Sequence, residues 1–397
     1  MALSKIDVAN MLTGATPVAN GGTAATTLAA AGLGKRPNAK PLIVNGSMDV
    51  SQRATSVTGK TSTDIYTVDR MSAVIASIGT YTIAQEAQTS GNAFANGFAN
   101  AWRIDCTTAD ASPAASDQLQ MQYAFEGQDL QLFKKGTSNA EKFTLAFWVK
   151  SNKTGTGNIQ LKDKDNSNRQ CTQSYTISSA NTWEHKVCVF GADTTGAFDD
   201  DNAKSLIINW WLGSGTDSSS GTANHGTWEA QDDTKVNDGG TLNINDNTAN
   251  DWAITGIQLE VGEFTSSTLP PFQHESFGDN LARCQRYFET TFEVGTAIGA
   301  STSTGIIRSG GNQGGRTSGR MGHGFTYPVP KRSAPTVVFY DNSGNSGALA
   351  RLDQGSSTAS NKNATLAGGS QKSFEVTSTG DSTADCLNYH FTADAEL

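Results

Sequence analysis

Two eight-residue stretches set the terms for this chain. In 143–150, FTLAFWVK, Phe143, Leu145, Phe147 and Val149 alternate with Thr144, Ala146, Trp148 and Lys150. In 205–212, SLIINWWL, Leu206, Ile208, Trp210 and Leu212 alternate with Ser205, Ile207, Asn209 and Trp211. Successive side chains of a strand point to opposite faces, so each stretch reads as a strand with one wholly apolar face turned to a core. A fully buried Trp removes ~150–250 Å² from water. At ~25 cal/mol/Å² that is worth about 4–6 kcal/mol as an upper bound. All seven tryptophans (102, 148, 183, 210, 211, 228 and 252) fall within 41–269. That region is expected to fold on its own core.

Further strand candidates in it are 42–45, 81–86, 101–106, 119–125, 158–162, 171–177, 183–190 and 252–261. Gly, Asn, Asp and Ser punctuate them at the spacing of an antiparallel sandwich. No fixed period of 20–50 residues is visible, which argues against a β-helix or a propeller. Composition agrees with a turn-rich β-protein. Only 36% of residues are hydrophobic and 17% charged, the difference being made up by Gly, Ser, Thr, Asn and Ala.

The period becomes helical once, in PPFQHESFGDNLARCQRYFET (270–290). Phe277, Leu281, Cys284 and Phe288 are spaced four, three and four, on one helix face. Ser276 and Asp279 have capping-box spacing, and Asp279 and Arg283 form a favourable i,i+4 pair. A helix of three or four turns is expected. Its stripe is too short for a coiled coil, so it should pack on its own sandwich or on a neighbouring subunit. Phe277, Leu281, Cys284 and Phe288 are the candidate subunit-interface residues. Arg283 and Arg286 are solvated or pair with carboxylates of an adjacent subunit.

Past the helix, 291–397 contains strand-like pieces at 295–300, 305–308, 324–327, 335–340, 349–352, 373–377 and 386–392. Gly-rich runs such as 309–324 separate them. This reads as a small β-domain with a thin core, the kind that symmetry partners complete. Residues 1–40 are mostly small residues with Pro and Gly, the composition of a tether ordered only when copies of itself or a partner hold it.

Several functions are disfavoured. A net charge of −9 argues against nucleic-acid binding. No apolar run reaches about 18 residues, so no membrane insertion is expected. MALSKIDVANMLTG lacks an apolar h-region, so Sec-type secretion is not expected. The five cysteines are scattered without a CxxC, which points to reduced, buried thiols and no zinc. KDKDNSNR (162–169) and FDDDNAK (198–204) are acidic but miss the Gly and Glu of a calcium loop, so they read as solvated turns. No GxSxG, HExxH or P-loop occurs, and the five histidines are dispersed. His274 reads as a packing residue beside the helix. No catalytic residue, metal or cofactor is assigned.

Aromatic rings beside amides on a sheet face suit sugars: the ring covers the C–H face of a pyranose and the amides bind its hydroxyls. Trp148, Asn209 and Trp211 lie on the non-core faces and are glycan-binding candidates. So are His225 and Trp228 in the long polar loop 215–233. The competing reading packs them under loops or against a neighbouring subunit.

A set of stretches, in order, resembles a family of marine bacteriophage (cyanophage-like) tail-fibre proteins. These are LTGATPVANGGTAATTLAAAGL (12–33), LIVNGSMDVSQRATS (42–56) with DRM (69–71), FTLAFWVKSNKTG (143–155), NTWEHKVCVFGADTTG (181–196), WAITGIQLEVG (252–262), the 270–290 stretch and HFTADAEL (390–397). The resemblance implies a mainly β chain. By the same resemblance, residues 1–40 would be an extended segment attached to a tail adaptor or tube protein. Residues 41–269 are a jelly-roll-like, carbohydrate-binding-like sandwich, 270–290 a junction helix and 291–397 a small β-domain. It implies a non-enzymatic homotrimer in the virion, made in the host cytoplasm and mediating adsorption to a host surface glycan. A tail-associated glycan depolymerase or deacetylase is the alternative, since Asp and Glu are plentiful. A free-standing glycan-binding module is the second.

Overall fold

The computed structural model describes residues 40–309, 320–353, 359–379 and 384–397. The expected attachment segment, apart from Lys40, lies outside the described residues, as does most of the Gly-rich run 309–324.

Alternation builds two antiparallel sheets packed face to face. One runs β1 (Ser56–Lys60), β4 (Thr80–Ala87), β5 (Asn100–Thr108), β13 (Asp251–Val261), β7 (Phe143–Ser151), β10 (Glu184–Phe190). The other runs β12 (Trp228–Glu229), β9 (Gln170–Ile177), β8 (Gly155–Asp163), β11 (Lys204–Ser214), β6 (Gln118–Glu126), β3 (Ser72–Ala76), β2 (Ile65–Tyr66). Phe143, Leu145, Phe147 and Val149 of β7 face Leu206, Ile208, Trp210 and Leu212 of β11, and all eight are fully buried. Trp102 and Trp252 meet edge to face at 6.1 Å, as do Phe147 and Trp210 at 6.0 Å. The chain is thus mainly β and a jelly-roll-like sandwich.

Two expectations fail locally. Residues 42–45 form a turn, and β1, β2, β3 and β12 arise where no strand was expected: β1, β2 and β12 are edge strands too short or too exposed to alternate clearly, and β3 is an inner strand of only five residues.

A second β-unit follows. Its central strand, β22 (Ala384–Asp394), pairs with β14 (Phe288–Thr290), β15 (Ile307–Arg308), β17 (Thr336–Tyr340) and β18 (Ala348–Asp353), and β18 pairs with β19 (Ala359–Asn363). A three-stranded sheet of β16 (Arg320–Thr326), β21 (Ser373–Thr379) and β20 (Thr365–Gly369) packs beside it. Phe339, Leu349, Phe374, Val376, Leu387, Tyr389 and Phe391 form its core.

The junction helix spans Phe277–Gln285, shorter than expected because the chain turns into β14 at Phe288. Ser276 caps it, its Oγ accepting from Asp279 N at 3.2 Å. Phe277 is 50% exposed, whereas Cys284 is fully buried against Val44 and Val50 with Leu281 beside them. Phe288 is buried under Arg53, whose guanidinium stacks 3.7 Å from the ring centroid. Cys284 and Phe288 are therefore filled inside their own chain and offer nothing to a neighbouring subunit. The arginines are also corrected. Arg283 pairs with Glu275 at 2.5 Å instead of Asp279, and Arg286 forms a two-pronged pair with Glu126 at 2.7 and 2.6 Å.

Beside the helix, the end of the chain closes onto the sandwich. Arg70 pairs with Glu396 and stacks 3.5 Å from the Tyr287 ring centroid. Arg53 meets Asp394 at 3.1 Å, Glu396 at 3.5 Å and Asp69 at 3.9 Å. Asp69 accepts from Gln52 N at 3.0 Å and from Gln52 Nε2 at 2.5 Å. Gln52 Nε2 also donates to Phe288 O at 2.8 Å. Residues 42–56, 69–71, the helix and the last eight residues thus converge on one buried polar centre.

Removing one partner of a buried ion pair leaves the other uncompensated, at a cost of about 3–5 kcal/mol. Glu396→Ala is therefore expected to lower stability by roughly that amount and to let the C-terminal unit unfold first. Urea titration with limited proteolysis checks this. Burial raises the Asp69 carboxyl to about 6 from its ordinary 3.8. A raised carboxyl favours the folded state below its unfolded value and loses that contribution as pH climbs through about 6. Melting temperature should therefore fall between pH 4 and 6 more steeply in the natural protein than in Asp69→Asn, measured by calorimetry across that range.

Candidate functional site

The outer face of the seven-stranded sheet is polar. Strand register sets Ser72, Gln122, Asn209, Gln160 and Thr172 side by side across five strands. The next row is Val74, Gln120, Trp211, Asn158 and Ser174. The amides link into a chain: Gln122 Nε2 donates to Asn209 Oδ1 (2.9 Å), Asn209 Nδ2 to Gln160 Oε1 (2.9 Å), and Gln160 Nε2 to Gln170 Oε1 (3.1 Å). Gln170 Nε2 closes it on Asp232 O at 2.9 Å. Each side chain holds its neighbour, so the row is fixed before anything binds.

The long loop of 215–240 covers part of this face. Asn158 Nδ2 donates to Asn237 Oδ1 (3.1 Å) and Asp238 O (2.9 Å), and Asn237 Nδ2 to Ser214 Oγ (2.9 Å). Between loop and sheet lies a cavity of about 220 Å³. Gln118, Gln120, Gln122, Gln160, Asn209 and Trp211 form its floor, and Ser218, Asp233 and Val236 its cover. Lys162 and Lys164 stand at the rim, Lys162 3.8 Å from Asp233. Trp211 is 3% exposed and its indole N–H has no partner. A buried donor left unpaired costs about 1–3 kcal/mol. An acceptor entering the cavity is what this ring lacks. The arrangement suits a ligand rich in hydroxyls, each of which donates and accepts.

The structure brings Asn209 and Trp211 into this one cavity. His225 sits in the covering loop, its Nε2 3.7 Å from Asp238 Oδ2. Trp228 is corrected: it is buried, packs 5.8 Å from Phe143 and donates Nε1–H to Gly191 O at 2.8 Å. The indole is a wall of the core and has no binding face free. Trp148 lies on the opposite sheet, beside His185. Asp163, read as part of a solvated turn, is buried and pairs with Lys135 at 2.5 Å. The glutamines were missed, although Gln118, Gln120 and Gln122 alternate in QLQMQ, a signal of one polar sheet face. Among the described residues no cluster of His, Cys, Asp and Glu is arranged to hold a metal.

No protein-family model matches the chain, and no curated protein does. Among solved structures, it is similar to the enzymatically active domain of tailspike protein 4 of bacteriophage CBA120. Identity is 13% and TM-score 0.27, covering 56% of this chain and 21% of that one. It is similar to the C-terminal family 22 carbohydrate-binding module of Clostridium thermocellum Xyn10B, at 14% identity and TM-score 0.27, covering 50% and 89%. It is also similar to a cyclase from Fischerella sp., at 10% identity and TM-score 0.29, covering 53% and 99%. Likenesses of this size assign neither family nor function, and the chain spans about a fifth of the tailspike structure's length.

The two halves of the cavity floor separate experimentally. Trp211→Phe removes an N–H that bonds to nothing in the protein, so its cost should be confined to the buried ring volume it trims, about 1 kcal/mol. Asn209→Ala strands Gln122 Nε2 and Gln160 Oε1 and should cost about 1–3 kcal/mol. Chemical denaturation of both variants checks this.

Proposed function

We propose that this chain is a non-enzymatic, glycan-recognising protein of a bacteriophage tail appendage, with the amide-floored cavity as its sugar site. The observation that carries the sugar reading is Trp211, a buried indole with a free donor, set among pre-linked Gln and Asn side chains on a rigid sheet. A sugar hydroxyl can accept from such an indole N–H and bond to such amides. The tail-appendage part is supported by the ordered set of stretches that resemble phage tail fibres, four of which meet at the charge centre around Glu396. On this reading residues 1–40 attach to a tail adaptor or tube protein, the assembly is a homotrimer in the virion, and the partner is a host surface glycan.

A glycan array probed with the full chain tests the site. Trp211→Ala, which deletes that donor, should reduce binding of the selected glycan at least about tenfold. Undiminished binding by that variant would remove the cavity from the reading. Light scattering at micromolar concentration should give three times the chain mass, and a stable monomer would overturn the trimer.

A further inference from the structure

A second groove lies on the outer face of the sheet that carries β13, β7 and β10, the sheet opposite the one that floors the amide cavity. Its floor is made by a disturbance in β13. The register shifts between Thr255 and Gln258, and Gly256 there adopts φ +60°. A Cβ at Gly256 would lie 2.7 Å from the Phe98 ring, so this position needs glycine both for its backbone and for the ring seated on it. Bulges re-aim strands beside binding sites. Here the bulge makes room for an aromatic wall. Phe98 meets Phe272 at 4.9 Å and His274 at 5.3 Å, and Phe272 meets His274 at 4.9 Å.

Facing that wall is a platform of two rings. Trp148 of β7 and His185 of β10 are direct register partners. Their centroids are 5.0 Å apart and their planes 33° from parallel. Trp148 is half-buried and His185 exposed. Gln258 brings an amide to the floor, its Nε2 tied to Pro270 O at 3.1 Å and Glu260 Oε1 at 3.3 Å. Asn96 stands at the rim, its Nδ2 donating to Asn92 O at 2.8 Å. The groove has a volume of about 370 Å³ and no Asp, Glu, Lys or Arg lines it. The amide cavity, by contrast, carries Lys162, Lys164 and Asp233.

We infer that the Trp148–His185 groove is a second saccharide site, separate from the amide cavity, that takes a neutral glycan chain by stacking pyranose rings on the Trp148–His185 pair and on Phe272, which the buried Phe98 ring supports from beneath. The uncharged lining selects against acidic sugars, whose charge would be desolvated there without a counter-ion. The exposed ring surface of Trp148, His185 and Phe272 fits the C–H faces of a pyranose, and Gln258 and Asn96 bring amides to the same groove for its hydroxyls. A proline-rich peptide is the other ligand that aromatic grooves accept.

The test is calorimetry and tryptophan fluorescence of the full chain with cellohexaose, mannohexaose, laminarihexaose, an oligoguluronate and a proline-rich peptide. At least one neutral hexaose should bind with a shift in tryptophan emission, and the oligoguluronate should not compete for it. Trp148→Ala should raise the Kd of that hexaose at least about tenfold. His185→Ala, which trims an exposed ring, should weaken it in the same direction, and carries the test if Trp148→Ala folds poorly. The proposal is overturned if none of the three hexaoses binds at millimolar concentration. It is equally overturned if binding is lost with Trp211→Ala but kept with Trp148→Ala, or if the peptide binds through Trp148 and the hexaoses do not.

Discussion

The two cationic side chains that receive the end of the chain hold the molecule together. Arg53 and Arg70 are nearly buried, and an unpaired guanidinium there would be far too costly to bury. Their compensation comes from Asp69 in the sandwich, and from Asp394 and Glu396 more than 300 residues away in sequence. Aromatic rings complete the arrangement: Arg53 lies over Tyr66 and Phe288, Arg70 over Tyr123 and Tyr287. The sandwich alone would leave Arg53 with Asp69 only and Arg70 without the Glu396 carboxylate. The C-terminal unit is thus part of the electrostatic completion of its neighbour. The same centre reaches the helix through Asn45, whose side chain bonds Val50 O and Asp69 O and accepts from Asn280.

Both grooves depend on the rigidity this provides. The amide row spans β6, β11, β8 and β9, and its hydrogen bonds run from strand to strand, so a shift of one strand would misalign the whole series. The aromatic wall opposite draws on Phe272 and His274, which belong to the connector leading into the helix. The junction therefore shapes one binding face directly and steadies the sheet that carries the other.

The fold was legible where burial and alternation coincide. Strands β7 and β11 pack their apolar faces into a core from which water is excluded, so their pattern is strong. Strands β1 and β2 lie at sheet edges, where exposed positions carry polar and apolar residues without contrast. The helix was legible by its cap and its period, but which side it buries was not. Asn280 and Cys284 face inward, and Phe277 points out, because the buried partner is a turn segment that offers the Asn45 amide to Asn280 and only Val44 and Val50 to Cys284. Asn209 and Trp211 could be read as outward-facing from alternation alone. Their glutamine neighbours come from strands whose lateral order no local pattern records. Trp228 misled because a two-residue strand folds a loop residue back into the core. The groove of Trp148 joins residues near 97, 148, 185, 257 and 272, a set that only the tertiary fold assembles.

The doubled attachment between the two β-units has a mechanical consequence. A single connector between two bodies is a hinge, free to swing about its own axis. Here the second unit is tied to the sandwich both at the charge centre, through the helix and the chain end held by Arg53 and Arg70, and at Arg332, which exchanges hydrogen bonds with Asn202. Two anchors remove the swing and leave little freedom to twist. Force applied at the C-terminal unit is then shared between a peptide backbone and a set of ion pairs loaded side by side.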